Sequence, residues 1–354
     1  MMKKQISLML MLFFASVLFC ACTGKQGPLT TQGMEALEAM DYASAAADFE
    51  KALQEGEEEV YAYRGLGIAH MGQASYEAAV SDFRQALAAS GHRVDDLTYD
   101  INYYLAAACY KAGDYEESVR IYDAILGMRP KEADTYYLRG NALLMLGRIE
   151  DAGRDYDKAL SLTASPVDLS VDIYVSFQNA GLAEEGYSYL ENALSTGKTS
   201  VTDYEAGRLY YYMEDYQTAV EYLERLRENN TADADALLML GRTYEALGDL
   251  NYATMVYAKY TESVADPDET TARIYNRLGI LYMDNGNFEA ALEAFSKAMQ
   301  IPDNNMMQTL KFNEIVAYER SGDFETAEVL MNDYLNTYPD DEIARKEYIF
   351  LSTR

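Results

Sequence analysis

The chain has no tryptophan, two histidines, three cysteines and six prolines in 354 residues, and 29 Lys and Arg against 58 Asp and Glu. Each shortage closes off a class of structure or chemistry. Few prolines leave long stretches uninterrupted, and with abundant Ala, Leu and Glu this favours helix. Two histidines, His70 and His92, have neither a cysteine nor each other close by in sequence, so a zinc centre has no ligand set. The shortage of cations leaves a formal charge of −29, spread along the chain, which repels phosphate backbones and argues against nucleic acid as a partner. A solvated acidic exterior is its plain reading. Neither GxxxxGK[ST] nor GxGxxG occurs, and Asp284-Asn285-Gly286-Asn287 lacks the rest of a calcium loop. Fifty-eight carboxylates produce chance pairs anywhere, so an acid–base pair carries no information. No cofactor and no enzymatic activity are expected.

A long hydrophobic run occurs only near the beginning. Lys3 and Lys4 precede an apolar stretch from Ile6 to Ala21, too short for a comfortable spanning helix and of the form of a secretory signal. Its end resembles a bacterial lipobox, with Leu18, Phe19, Cys20 and Ala21 before Cys22. The match is incomplete, because Phe19 stands where Leu is usual, and Cys20 with Phe19 before it fits less well. The resemblance implies cleavage before Cys22 and diacylglyceryl attachment to its thiol, which with two or three acyl chains holds a protein durably on a membrane. A plain secretory signal and an uncleaved anchor are the alternatives. Cleavage discards Cys20, Lys3 and Lys4, takes the formal charge from −29 to −31, and leaves Cys109 without a disulfide partner.

What the sequence has in quantity is a paraphrased helix pair. Asn285 to Pro302, NGNFEAALEAFSKAMQIP, returns as MDYASAAADFEKAL from Met40, AGDYEESVRIYDAIL from Ala112, LGRIEDAGRDYDKAL from Leu146 and SGDFETAEVLMNDYL from Ser321. Aligned on one small residue, the copies fall at Ala45, Ala79, Ser118, Ala152, Gly186, Ala219, Ala253, Ala291 and Ala327, at intervals of 34, 39, 34, 34, 33, 34, 38 and 36. Twelve positions upstream stand Gly33, Gly67, Ala106, Gly140, Tyr174, Gly207, Gly241 and Gly279, and thirteen upstream in the last copy Glu314; four downstream stands a bulky residue, from Phe49 to Met331. Two antiparallel helices approach closely only where small residues meet, and one hairpin cannot bury its faces alone, so neighbours must stack. Six copies place Gly between the helices: Gly113, Gly147, Gly181, Gly248, Gly286 and Gly322. Copy 5, with Tyr174 and Gly186, predicts a looser contact or a bend. Copy 9, with Glu314, predicts an atypical end, and copy 1 is the least secure pairing. Residues 90–98, 262–270 and 301–306 are predicted surface loops.

This small–aromatic–small order at a period near 34 resembles the tetratricopeptide repeat over about residues 26–339. The resemblance implies an all-α, right-handed α-solenoid of about nine helix hairpins. The chain then divides into a signal peptide (1–21), a lipid-anchored tether (22–28), a repeat array (29–339) and a C-terminal capping helix (340–354). In that repeat the first helix of block 2 carries a core aromatic where His70 stands and that of block 3 where Cys109 stands. Both are therefore read as packed core side chains.

First helices of this family line a concave face. Carried over by position, the implied partner-binding residues are Tyr61, Arg64, Tyr103, Tyr110, Lys111, Tyr137 and Asn141 in the first half. In the second they are Tyr204, Arg208, Tyr211, Tyr212, Arg242, Arg273, Asn276, Phe312 and Tyr318. Tyr and Arg dominate binding energy at interfaces, so a trough for an extended peptide or a helix follows. The alternative is that some of these tyrosines only pack between neighbouring first helices. The family's Lys/Asn carboxylate clamp is absent, since Asn141 stands without its lysines. The function implied is an extracytoplasmic, membrane-anchored scaffold for a protein or peptide. A structural or assembly factor of the cell envelope and a cell-wall glycan-binding lipoprotein are the alternatives.

Overall fold

A helix that must reverse within two or three residues needs one residue in the left-handed region. The computed structural model, which describes residues 27–91, 93–195, 201–339 and 341–354, has such a residue at all nine reversals. The six glycines named above have φ between +73° and +88°. In copies 1, 2 and 6 the position is held by Met40, Ala74 and Glu214 at φ of 55°, 58° and 61°. Sequence pattern missed these three because the turn tolerates a side chain at an energetic cost. The next helix then starts on a cap: Asp41, Asp114, Asp215, Asp249, Asn287 and Asp323 each accept a hydrogen bond from the backbone N–H three residues on. The Asp284–Asn287 stretch is such a turn, with Gly286 left-handed and Asn287 the cap.

The helices that result are α1 (Pro28–Glu38), α2 (Tyr42–Gln54), α3 (Glu59–Gly72), α4 (Tyr76–Ala89), α5 (Asp96–Ala112), α6 (Tyr115–Met128), α7 (Ala133–Met145), α8 (Ile149–Leu162), α9 (Pro166–Asn179) and α10 (Ala183–Ser195). They continue with α11 (Asp203–Tyr212), α12 (Tyr216–Glu228), α13 (Ala234–Ala246), α14 (Leu250–Thr261), α15 (Glu269–Asp284), α16 (Phe288–Gln300), α17 (Met307–Ser321), α18 (Phe324–Thr337) and α19 (Glu342–Leu351). Odd-numbered helices up to α17 are first helices, even-numbered ones second helices, and α19 closes the array. The all-α class and the hairpin repeat are thus present over the described residues. Residues 1–26, including the implied signal, Cys20 and Cys22, lie outside them, as does His92. No described helix is long and apolar enough to cross a membrane.

The spacing of small and bulky residues sets the core. A Cβ added at Gly67 would stand 2.6 Å from the Phe83 ring, and at Gly140, 2.6 Å from Tyr156; Gly33 meets Phe49, Gly207 Leu223, Gly241 Tyr257 and Gly279 Phe295 in the same way. The bulky residue therefore lies first across the glycine of its own hairpin rather than only against the next pair. Phe49 does both, since a Cβ at Gly65 of α3 would also meet its ring. In copy 5 the sizes are exchanged: Tyr174 is buried, and Gly186 makes room for Phe177, whose Cβ would be 2.6 Å from an added one. Copy 1 is tied more firmly than expected, because Glu57 accepts from Leu29 N and Thr30 N at 2.9 and 2.8 Å and caps α1. In copy 9 burial pushes the Glu314 carboxyl up, opposed by Lys311. The 301–306 connector is no mere surface loop. Ile301 and Asn304 are buried, and Asn304 donates to the Ile301 carbonyl at 2.9 Å.

The described chain forms two compact units, 27–189 and 190–354. In the first, α1 touches α3, α3 touches α5, and α7 touches α9; in the second, α11 touches α13, α13 touches α15, and α15 touches α17. Among the described residues, second helices do not approach one another this closely. The first helices that touch therefore share a closely spaced face, with α5 and α7 standing farther apart. Asp341 caps α19 by accepting from Ile343 N and Ala344 N, and Ala344 and Leu351 cover Ile315, Met331 and Tyr334.

Candidate interaction face

A side chain on that face has two neighbours to choose from: solvent, or the first helix one repeat away. In the first unit most candidates turn sideways. Arg64 is buried, with Nε 2.5 Å from Asp100 of α5 and its guanidinium over Tyr104. It joins two repeats and is not available to a partner, which corrects its place among the binding residues. Tyr137 of α7 shares a hydrogen bond of 3.1 Å with Ser176 Oγ of α9. Asn141 accepts from the Tyr156 hydroxyl at 2.8 Å. Tyr103 stands edge-on to Tyr122, and Tyr110 edge-on to Tyr115; burial pushes both phenols above their ordinary range. Tyr61 is half-buried against the core of copies 1 to 3, and burial lowers the Lys111 ammonium. In this unit the packing alternative describes the tyrosines better than an open trough does.

The two residues read as core behave differently from each other. Cys109 is fully buried, its thiol pushed up to about 11 by burial, as a small apolar side chain would be. His70 is half-buried rather than enclosed, and its Nδ1 lies 2.6 Å from Asp82 Oδ2 on the paired helix α4. That hydrogen bond raises its pKa, against the opposing effect of burial.

The second unit gathers its candidates. On α11, Tyr204 lies under Arg208 at 5.6 Å, and Tyr211 meets Tyr212 edge-on at 5.4 Å and Tyr216 of α12 at 5.6 Å. From α13, Arg242 lies over the Tyr211 ring at 5.2 Å and donates to its hydroxyl at 3.3 Å. Arg208 and Arg242 are 34 residues apart and so occupy the same register on adjacent first helices. All six side chains are half-buried, with part of each at the surface. Two residues that the repeat pattern did not single out complete the cluster. Arg277 of α15 donates from Nε to Glu245 Oε1 at 3.1 Å, and the Tyr257 hydroxyl donates to the same oxygen at 2.8 Å. Only their spacing of 32, nearly one repeat, hinted at a pair. The remaining candidates stand apart. Arg273 pairs with Glu269 at 2.5 Å, Asn276 accepts from Asn313 at 2.8 Å, Phe312 meets Tyr334 at 5.8 Å, and Tyr318 packs into the closing core. No group of three or more metal-ligating side chains occurs among the described residues.

The tetratricopeptide repeat profile matches residues 30–94, 66–133, 103–168 and 204–268, and a second profile of the same repeat matches 272–301. The chain belongs to the tetratricopeptide repeat family. Curated relatives of this repeat protein include the BBSome complex member BBS4 of Bos taurus, 22% identical over 54% of this chain and 36% of that one. Tetratricopeptide repeat protein 6 of Homo sapiens is 24% identical over 57% and 39%, and the DnaJ homolog subfamily C member 7 of Mus musculus 29% identical over 34% and 25%. The matched part of each is thus well under half its length. Similar solved structures include MamA, 19% identical over 46% of this chain and 92% of that one, with a TM-score of 0.38. A tetratricopeptide repeat protein from Parabacteroides merdae is 15% identical over 73% and 98%, with a TM-score of 0.43.

Proposed function

We propose that this tetratricopeptide repeat protein is a scaffold, lipid-anchored at Cys22 to the outer side of a bacterial membrane, that binds a polypeptide segment. The binding site is the first-helix face of residues 201–284. The observation that carries the binding part is the cluster of Tyr204, Tyr211 and Tyr212 with Arg208 and Arg242, half-buried and partly open to the surface on adjacent helices. Tyrosine offers large contact area at low entropic cost, and such side chains on rigid helices are preorganised for binding. Relatives named as a complex member and a DnaJ homologue fit binding better than catalysis. The anchoring part rests on Lys3, Lys4, the Ile6–Ala21 run and Cys22.

The two parts are tested separately. Cys22→Ala in the source organism should move the protein from the membrane fraction to the soluble one; retention there would count against a lipid anchor at this cysteine. Capture of partners by the detergent-solubilised chain should fail when Tyr204, Tyr211 and Tyr212 are all changed to alanine and helicity by circular dichroism is unchanged. Equal capture by both forms would move the site elsewhere and favour a structural role in the envelope. A ligand pool that survives protease treatment would favour a glycan.

A further inference from the structure

A helix that closes a repeat array needs one apolar face, the one it lays on the helices before it. α19 has two. Its inner face carries Ala344 and Leu351, both buried, with Tyr348 packed beside them. On its outer face Ile343 and Ile349 are 68% and 65% exposed, and Phe350 is 38% exposed. No other described helix exposes three large hydrophobic side chains. Residues 343, 346, 349 and 350 recur at intervals of three and four, so they share one side of the helix.

The charges around this stripe differ from those of the chain as a whole. Lys346 is exposed between the two isoleucines and Arg345 is exposed beside it, while the Arg354 guanidinium lies 4.4 Å from the centre of the Phe350 ring. Of the two acids of α19 only Glu342 is exposed; Glu347 is half-buried beside Glu319 of α17, and Asp341 is spent on the cap. Three bases against one acid thus surround an apolar stripe, within a molecule of formal charge −29. Apolar side chains rimmed by bases match an anionic lipid surface: the isoleucines enter the headgroup layer, and the lysine stem lies along it with its ammonium at the phosphates. Salt confines the field of the chain's many acids to about 8–10 Å, so a bilayer meets the local charge. A second copy is a poorer occupant. A helix of ten residues, about 15 Å long, offers far less than the roughly 800 Å² per partner that a stable pair buries.

We infer that the outer face of α19 rests on anionic phospholipid of the bilayer that holds the anchor, through Ile343, Lys346, Ile349 and Phe350. The inference rests on the proposed anchoring at Cys22, which keeps α19 near the membrane and so populates a contact too weak to hold the chain by itself.

The chain has no tryptophan, so one introduced by substitution reports alone. Phe350→Trp and, as a reference, Met255→Trp on α14 are made in the full chain, purified in detergent from the source organism and reconstituted into vesicles of phosphatidylglycerol and brominated phosphatidylcholine. Bromine should quench the fluorescence at position 350 at least about twofold more than at position 255. Adding Ile343→Asp and Ile349→Asp to Phe350→Trp should weaken the contact about tenfold or more, and replacing phosphatidylglycerol by neutral lipid should weaken it too. Ile349→Trp with Ile343→Asp takes over if Phe350→Trp lowers the helicity seen by circular dichroism. A chain that floats with the vesicles but is quenched equally at 350 and 255, or is indifferent to the aspartates or to neutral lipid, would overturn the inference and leave the anchor standing. A blue shift at position 350 without quenching would overturn it in favour of a protein partner. A chain that does not float with the vesicles would overturn the anchor, and the inference with it.

Discussion

At the scale of the residue, the nine left-handed turn positions show where local strain remains. Ala74 and Glu214 hold conformations that cost an L-residue roughly 1–2 kcal/mol, partly offset by the larger entropy that glycine would lose on folding. Ala74→Gly and Glu214→Gly should each stabilise the array by about 0.5–1 kcal/mol, read as a higher denaturation midpoint; an unchanged or lower midpoint would show that the turns are relaxed by other means. His70 makes a second residue-level case. Its pKa is raised in the folded chain by the hydrogen bond to Asp82. The stabilisation it brings is therefore full below the ordinary histidine value of 6.5 and is lost as pH rises through the folded value. Titration by NMR should place His70 above 6.5, and Asp82→Asn should return it downward and remove that slope. A His70 titrating below 6.5 in the parent would contradict the pairing.

At the scale of the element, most hairpins place a glycine in one helix where a large side chain of the other arrives. Gly67→Ala places a methyl where the Phe83 ring already lies, and overpacking of this kind costs roughly 1–3 kcal/mol. The same chain supplies a remedy: at Gly207 the incoming side chain is the smaller Leu223, and in copy 5 the glycine, Gly186, lies in the second helix and is met by Phe177 of the first. Phe83→Leu should therefore recover part of the loss when combined with Gly67→Ala, although it destabilises by itself. A double-mutant cycle in chemical denaturation measures this coupling, and strict additivity would mean that the two positions do not share one space. The copies that depart from the pattern were visible as departures in the sequence. How copy 5 resolves its departure was not visible, because that depends on Phe177 filling the space beside Gly186.

At the scale of the whole molecule, repeats that contact chiefly their neighbours make stability a sum of local terms. Charge is the exception, since 58 acids against 29 bases act over many repeats at once. Screening should relieve that self-repulsion: raising sodium chloride from 0.02 to about 0.2 M shortens the screening length from roughly 20 Å to below 10 Å and should raise the melting temperature. A falling melting temperature would indicate that the ion pairs between neighbouring first helices, such as Arg320 with Asp284, outweigh the net repulsion.

The sequence by itself determined the hairpins, their number, six of the nine turns and the small and bulky positions that meet in the core. Those features depend on spacing within about forty residues, and helix geometry turns such spacing directly into contact. The implied anchor at Cys22 was likewise legible only as sequence, and lies outside the described residues. Tertiary structure decided which side chains on the first-helix face are spent on a neighbouring repeat and which keep part of their surface in solvent. Arg64, three positions before Gly67, is closed in on Asp100, whereas Arg242, one position after Gly241, is half-buried and donates to the Tyr211 hydroxyl. Helical periodicity specifies a direction from the axis. What stands in that direction belongs to the next repeat, and only folding brings it there.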